Sequence, residues 1–136
     1  MLPSNIARYQ AVNITTANPG DILVALLDGV FKFLRIAKHG FETKNRARAG
    51  DAIKRAHAII TELLVSLEPE HFPELCQNLA AIYDFCLFRL SHANRHNDVV
   101  ALDDVMRVMA PIREAFTIAV KQLNQGPPLE RTGSGG

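Results

Sequence analysis

The chain has 136 residues, of which 48% are hydrophobic and 21% are charged, and its formal net charge is +1. This length and balance fit one soluble globular domain and leave little room for a second. The composition contains no Trp and only two Tyr beside seven Phe, which favours helix packing over a β-sandwich. Uninterrupted apolar runs are far shorter than the ~20 residues that cross a bilayer, so no membrane span is predicted.

The amino terminus and the cysteines bear on the compartment. The first ten residues have neither the basic region nor the apolar core of a secretory signal, which predicts a cytoplasmic protein. Cys76 and Cys86 fall in one predicted helix, about 15 Å apart along its axis. Because a disulfide needs Cα atoms within ~7 Å, they cannot pair within the chain. Two unpaired thiols fit the reducing cytosol.

The first helix has a clear start. Residues 1–17 are interpreted as an N-terminal arm, because their apolar positions are loosely spaced among polar ones. Asn18 then provides an N-cap, Pro19 a first-turn proline and Asp21 an early acidic group. An apolar stripe with i, i+3 and i+4 spacing follows, which predicts a helix that ends near Gly40.

Two further stripes predict the second and third helices. One covers residues 52–67, begins somewhere within 43–51 and is ended by Pro69. The other begins at Pro73 and continues to Ala93. The third helix differs from the others in being apolar almost all round.

A fourth helix follows a polar elbow at 94–98, where Asn97 or Asp98 can serve as the N-cap. Its apolar stripe continues to the region of Asn124, and Pro111 inside it predicts a kink or a local break.

These elements predict an all-α protein, an antiparallel up-down four-helix bundle over residues 18–124. Short connections force consecutive helices to reverse direction, which produces this arrangement. The arm at 1–17 is expected to pack on the bundle as a short extended or helical segment. The Gly-, Pro- and Ser-rich residues 125–136 are expected to be a disordered tail.

Candidate metal and catalytic groups are few. Di-iron bundles use paired Glu-x-x-His motifs, but the Glu-x-x-His from Glu68 to His71 falls in a predicted loop. His92 and His96 have i, i+4 spacing that suits a metal, yet no third ligand is evident, and we interpret them as solvated. The sequence has neither a nucleophile–base motif nor a Gly-rich phosphate loop. We therefore predict a protein that is not an enzyme and has no cofactor or metal.

Charge is unevenly distributed along the chain. Lys and Arg dominate residues 32–55, whereas residues 62–74 carry acidic groups only. The basic stretch leaves an alternative function open, an interaction adaptor or a nucleic-acid-binding helical bundle. It lacks interleaved exposed aromatic residues, and the whole chain is nearly neutral, so we interpret it as a solvated face. Nucleic-acid binding would weaken steeply with salt, whereas binding in an apolar groove would not.

The third helix has more apolar surface than a bundle requires. A bundle helix buries a stripe about 100° wide, but this one has two such stripes. Either the helix is central, or one stripe forms a groove for another chain. The stripes do not show which of them faces inward. The candidate apolar contacts are Leu75, Leu79, Ile82, Tyr83 and Leu87, with Arg89 and Asn94 as polar contacts to the backbone of a bound chain.

Several segments together resemble the FliS family of flagellin export chaperones, over about residues 6–120. Their order and spacing carry the resemblance more than any one of them. They are Tyr9-Gln10, Thr15-Thr16-Ala17-Asn18-Pro19, Leu23, Leu26, Asp28-Gly29, Ile59-Ile60-Thr61-Glu62-Leu63, Ser66-Leu67, residues 78–85, Arg89-Leu90, Ala93-Asn94, Leu102, Val105 and residues 112–116. Asn18 stands where the family has Ser, Leu27 where Tyr is frequent and Phe116 where Trp is common.

The resemblance implies a cytoplasmic chaperone without a cofactor. Its client would be the disordered C-terminal region of newly made flagellin, which it keeps from premature filament assembly and delivers to the flagellar type III export apparatus. Export gate components and an anti-sigma factor or flagellin assembly regulator are further partners that the resemblance allows.

The N-terminal arm is expected to take part in client binding, through Ile6, Tyr9, Gln10 and Val12. The resemblance also implies that the arm lies in the same groove until a client arrives. This hypothesis fails if deletion of residues 1–15 leaves both the client affinity and the hydrogen exchange of the third helix unchanged.

Overall fold

The computed structural model describes residues 18–126, which form four α-helices in the predicted order. They are α1 (Pro19–Glu42), α2 (Arg46–Val65), α3 (Pro73–His96) and α4 (Val99–Gln125). The predicted arm, with Ile6, Tyr9, Gln10 and Val12, and the tail from 127 onward lie outside the described residues.

The helix starts follow the capping residues in the sequence. The side-chain oxygen of Asn18 accepts a hydrogen bond from the Asp21 amide, 2.9 Å away, at the start of α1. Asn45 caps α2 in the same way, by accepting from the Arg48 amide at 3.1 Å. Of the two caps predicted for α4, Asp98 is the one used, and it accepts from the Ala101 amide at 3.3 Å.

Several predicted boundaries shift by a few residues. The first helix continues past Gly40 to Glu42, and the second ends at Val65 rather than near Pro69. The elbow predicted at 94–98 is wrong, because α3 continues to His96 and only two residues connect it to α4. Asn97 makes this tight reversal by adopting the left-handed conformation (φ 54°), which Asn tolerates better than most residues.

The fourth helix runs through Pro111 without a break. Proline removes one helical hydrogen bond, but Met109 before it and Val120 after it are both buried, which holds the two halves in one helix. Its end at Gln125 lies one residue beyond the predicted bundle.

The helices form an antiparallel ring in which α1 packs against α2 and α4, and α3 packs against the same two neighbours. The up-down four-helix bundle predicted from the sequence is therefore confirmed. Within residues 18–126 every buried side chain of the core is hydrophobic. The fully buried members with the largest side chains are Tyr83, Leu27, Leu34, Ile53, Ile60, Leu90, Leu102, Met109, Val30, Val105 and Cys86.

Two ionisable groups in this core predict a loss of stability in alkali. Burial raises the pKa of the Cys86 thiol from its ordinary 9.0 to about 12. Burial also raises the pKa of Tyr83 from 10.0 to about 12, with a smaller effect from the charge of the two nearby thiols. A raised folded-state pKa stabilises the fold fully below the unfolded pKa, and this contribution is lost as pH rises toward the folded value. The free energy of unfolding should therefore fall from about pH 9 upward.

Urea unfolding at a series of pH values measures this effect, with Cys86→Val as the matched control. The variant keeps an apolar side chain of similar size but has no thiol to ionise. We expect a shallower decrease in its free energy of unfolding between about pH 9 and pH 11. Identical slopes for the two proteins would show that ionisation of Cys86 does not limit alkaline stability.

Candidate functional site

The third helix turns one continuous strip of its surface into the core. This strip consists of Leu79, Tyr83, Cys86, Leu90 and Ala93. Leu79 and Tyr83 were predicted as surface contacts. That placement is wrong, because Leu79 is only 7% exposed and Tyr83 only 2% exposed. The apolar spacing could not reveal this because the helix is apolar around most of its circumference, and the buried strip takes residues from both predicted stripes.

One side of α3 packs toward α2. The Asn94 side-chain oxygen accepts a hydrogen bond from Nη2 of Arg46, 2.8 Å away, and the Asn94 carbonyl accepts from the same guanidinium. Leu87, two turns earlier on this side, is half-buried against the core. Asn94 was predicted to bind the backbone of a client, but its side chain is engaged within the bundle.

The opposite side of α3 faces α4, and Arg89 fixes this orientation. Its Nη2 lies 2.9 Å from Oδ2 of Asp104 and 3.8 Å from Oδ2 of Asp98. Hydrogen bonds from Arg107 and Arg89 hold the pKa of the Asp104 carboxyl below its ordinary value. Nη2 of Arg89, which was predicted to contact a client backbone, is therefore engaged within the bundle.

His92 belongs to the same network. Its Nδ1 lies 3.2 Å from Oδ2 of Asp98, and its ring centroid is 4.5 Å from that of His96. The interpretation of both histidines as solvated is wrong for His92, because the α3–α4 connection brings Asp98 back against it. This cluster closes one end of the seam between α3 and α4.

The Arg89–Asp104 pair sets the register along this seam. Helical neighbours on one face recur every three or four residues, and the two helices are antiparallel. Moving back from Arg89 and forward from Asp104 therefore places Phe85 beside Val108, and Ile82 beside Ile112. The same steps pass the exposed Asn78 and reach Leu75 on α3, and they reach Ala115 and Ile118 on α4. We call the surface formed by these seven apolar residues, with Asn78 among them, the α3–α4 groove.

The groove combines a half-buried floor with exposed sides. Ile82, Val108 and Ile112 are half-buried and pack against the core. Phe85, Leu75 and Ile118 are 42%, 49% and 51% exposed. From residue 75 to residue 89 the helix rises by about 21 Å, which is enough for a helical segment of roughly four turns. Beyond its closing ion pair, the arrangement offers an uncharged and mostly apolar surface in which Asn78 is the polar member.

The seam between α1 and α4 is different, because polar groups cover it. Lys38 pairs with Asp103 at 3.0 Å, and the guanidinium of Arg113 lies 4.0 Å from the centre of the Phe31 ring. A ligand would have to displace these contacts, whereas among residues 18–126 no ion pair crosses the α3–α4 groove beyond the cluster at its closed end.

Two aromatic residues of α3 were absent from the predicted contacts. Phe85 borders the groove, and Phe88 is 65% exposed on the side of α3 opposite its buried strip. They lie three residues apart in a helix whose core positions are already filled by Leu79, Tyr83, Cys86 and Leu90. The sequence signal for these two residues is that α3 has more large apolar side chains than the core can hold. Using that signal requires knowing which strip of the helix is buried.

Other chemistry within residues 18–126 is confined to the surface. One ligand atom from each of Glu68, Glu70 and His71 lies within 4.8 Å of the others, but all three side chains are exposed. A polar cleft of about 340 Å³ lies between α2 and α3 and is lined by Arg46, Ala47, Gly50, Asp51, Lys54 and Asn94. No described helix is long and apolar enough to span a bilayer.

Comparison with known proteins gives consistent results. Residues 3–123 match the sequence profile of the family described as flagellar protein FliS. The chain is 34% identical over 128 residues to the flagellar secretion chaperone FliS of Bacillus subtilis (strain 168), covering 94% of this chain and 92% of the relative. It is 35% identical over 104 residues to the protein of the same name in Escherichia coli (strain K12), covering 76% of each.

The fold has a solved counterpart as well. A structure described as a flagellar chaperone from bacteria superimposes with a TM-score of 0.70, covering 88% of this chain and 98% of the other, at 19% identity. The sequence likenesses confirm the resemblance inferred from the segments and do not favour the nucleic-acid-binding alternative.

Proposed function

The chain belongs to the FliS family of flagellar proteins, and we propose that it is a flagellar secretion chaperone that binds the disordered C-terminal segment of flagellin in the cytoplasm. Binding keeps the segment from polymerising prematurely, and the chaperone delivers the flagellin to the flagellar type III export apparatus. The activity is binding, without catalysis and without a cofactor.

The α3–α4 groove carries this proposal. A segment destined for a filament core has an apolar face that would otherwise pair with copies of itself. An amphipathic helix buries such a face in an apolar groove, with anchors at i, i+3, i+4 and i+7. The exposed Phe85, Leu75 and Ile118 provide apolar contacts at successive levels of the groove. Ordering the segment costs ~2–5 kcal/mol, so a contact surface several turns long is needed.

The predicted contact residues divide into two groups under this proposal. Leu75 and Ile82 contact the client directly, while Leu79 and Tyr83 support the groove from the core beneath it. Arg89 positions the closed end through Asp104. Leu87 and Asn94 contact a client only if it extends over the α2 side of α3.

We further propose that the N-terminal arm contributes Ile6, Tyr9, Gln10 and Val12. The start of α1 and the end of α4 lie at the same end of the bundle, where Asn18 donates a hydrogen bond to Asn124 at 3.0 Å. An arm that leaves this end begins close to the open end of the groove. Components of the export gate, or an anti-sigma factor or assembly regulator, would then recognise the chaperone with its client bound.

Isothermal titration with a peptide of the C-terminal segment of the flagellin from the same organism tests the function. We expect one-to-one binding with a negative heat-capacity change, and circular dichroism should show a gain in helix. The affinity should change little with salt, because the groove is uncharged. Absence of both heat and helix gain at micromolar concentrations would contradict the proposal.

A further inference from the structure

The end of the bundle where α2 meets α3 is strongly acidic. Between Arg55 and Arg89 the sequence contains neither Lys nor Arg, while it contains Glu62, Glu68, Glu70, Glu74 and Asp84. In the loop, the side chains of Glu68, Glu70 and His71 converge so that one ligand atom from each lies within 4.8 Å of the others. Negative charge is therefore concentrated around the α2–α3 connection, where Glu68 and Glu70 lie close together.

These carboxylates are not neutralised within the part of the chain that the structure describes. The ion pairs formed at 4.0 Å or less among residues 18–126 involve the Asp residues of α1, α2 and α4 and of the α3–α4 connection, and none involves Glu68, Glu70 or Glu74. Like charges held this close repel one another. A cation from another molecule would relieve that repulsion.

Two large apolar side chains are exposed beside the carboxylates. Val65, the last residue of α2, is 71% exposed, and Phe72 is 67% exposed. Phe72 occupies the N-cap of α3 and makes no side-chain capping bond, whereas Asn18, Asn45 and Asp98 cap the other three helices. A Phe in this position has no side-chain acceptor with which to cap the helix. The position thus displays an aromatic ring at a cost to the helix.

We propose that this surface, consisting of Val65, Glu68, Glu70, Phe72 and Glu74, is a second docking surface, which binds a protein segment carrying Lys or Arg beside apolar side chains. The cation meets the carboxylates and can also lie over the face of the Phe72 ring. The neighbouring apolar side chains of the partner cover Val65 and Phe72. Charge complementarity selects this occupant, because an acidic or purely apolar segment would leave the carboxylates unpaired.

The surface differs in chemistry from the α3–α4 groove, which it adjoins where Glu74 precedes Leu75. It selects charge, whereas the groove is uncharged. The inference therefore does not depend on the identity of the client in the groove.

Two designed helical peptides test the proposal by fluorescence anisotropy in buffer containing EDTA. One carries Leu and Lys at helical spacing, and the other carries Glu in place of every Lys. We expect the Lys peptide to bind and the Glu peptide not to bind. The double variant Glu68→Gln/Glu70→Gln should weaken Lys-peptide binding by about tenfold and reduce its salt dependence.

Phe72→Ser should weaken the same binding by several-fold while adding an N-cap to α3, so that loss of folding does not confuse the result. The matched controls are Glu42→Gln/Glu114→Gln and Phe88→Ser, which alter exposed acidic and aromatic groups elsewhere and should leave Lys-peptide affinity unchanged. All variants at the acidic surface should retain the flagellin-peptide affinity, which separates this proposal from the first.

Three outcomes would overturn the inference. The variants at the acidic surface could bind the Lys peptide as tightly as the unmodified protein, or the control variants could lose equal affinity. Alternatively, sedimentation could show that the acidic end is already covered by the basic end of a second copy.

Discussion

Replacing Phe85 with Asp is expected to lower the affinity for the flagellin C-terminal segment by about tenfold, because covering the exposed part of the Phe side chain contributes about 1 kcal/mol and the new carboxylate adds to the loss. Phe85 is 42% exposed, and the register set by Arg89 and Asp104 assigns it to the α3–α4 groove. An introduced carboxylate would also have to be desolvated against an apolar client. The free energy of unfolding should change by less than about 1 kcal/mol, since the side chain is at the surface.

Phe88→Asp provides the matched control for this prediction. Phe88 is in the same helix, three residues away, and is 65% exposed, but it lies on the side of α3 opposite the buried strip. Titration of both variants with the same peptide should show a lower affinity for Phe85→Asp. Phe88→Asp should keep an affinity within about twofold of the original, because a surface change outside the contact has little effect. Equal losses, or a larger loss for Phe88→Asp, would place the client on the outer surface of α3.

Gly40→Ala is expected to destabilise the bundle by about 1–3 kcal/mol, although Ala is the better helix former. A Cβ atom at Gly40 would lie 2.9 Å from the backbone nitrogen of Ala49 and 3.0 Å from its Cα. Backbone atoms cannot turn aside as a flexible side chain can, so α1 and α2 would have to separate. The side chains that pack between these helices would then lose contact with one another.

Gly29→Ala is the control for the close approach of α1 and α2. Its Cβ would meet only the terminal Cδ1 of Ile59, at 3.1 Å. A small movement of that side chain relieves the contact, and the gain in helix propensity is about 1 kcal/mol. Urea unfolding should therefore give a free energy of unfolding for Gly29→Ala that is close to or above that of the original protein. If both variants lose a similar free energy of unfolding, the close approach of the Ala49 backbone to Gly40 is not the cause of the destabilisation.

The fold was largely predictable from the sequence because its signals are local. Asn18 with Pro19 marks the start of α1, Pro73 the start of α3 and Asp98 the start of α4, and each acts within one helical turn. The errors had one local and one tertiary cause. The left-handed Asn97 lets α3 continue to His96, and burial on both sides of Pro111 keeps α4 unbroken.

The candidate site was only partly predictable because it depends on the rotation of α3 about its own axis. Leu75 and Ile82 fall on the groove, but Tyr83 lies in the core and Asn94 is bound to Arg46. The rotation is fixed by contacts distant in sequence, such as the one between Arg89 and Asp104. Phe85 was missed for the same reason, since nothing in the spacing distinguishes a rim residue from a core residue in a helix that is apolar almost all round.

Hydrogen exchange of the backbone amides, with and without the flagellin C-terminal peptide, tests most directly that the client binds in the α3–α4 groove. We predict that the peptide slows exchange mainly in residues 75–89 of α3 and 104–119 of α4, while the basic residues 32–55 of α1 and α2 exchange as in the free protein. Protection confined to α1 and α2, with α3 and α4 unchanged, would contradict the assignment of the groove.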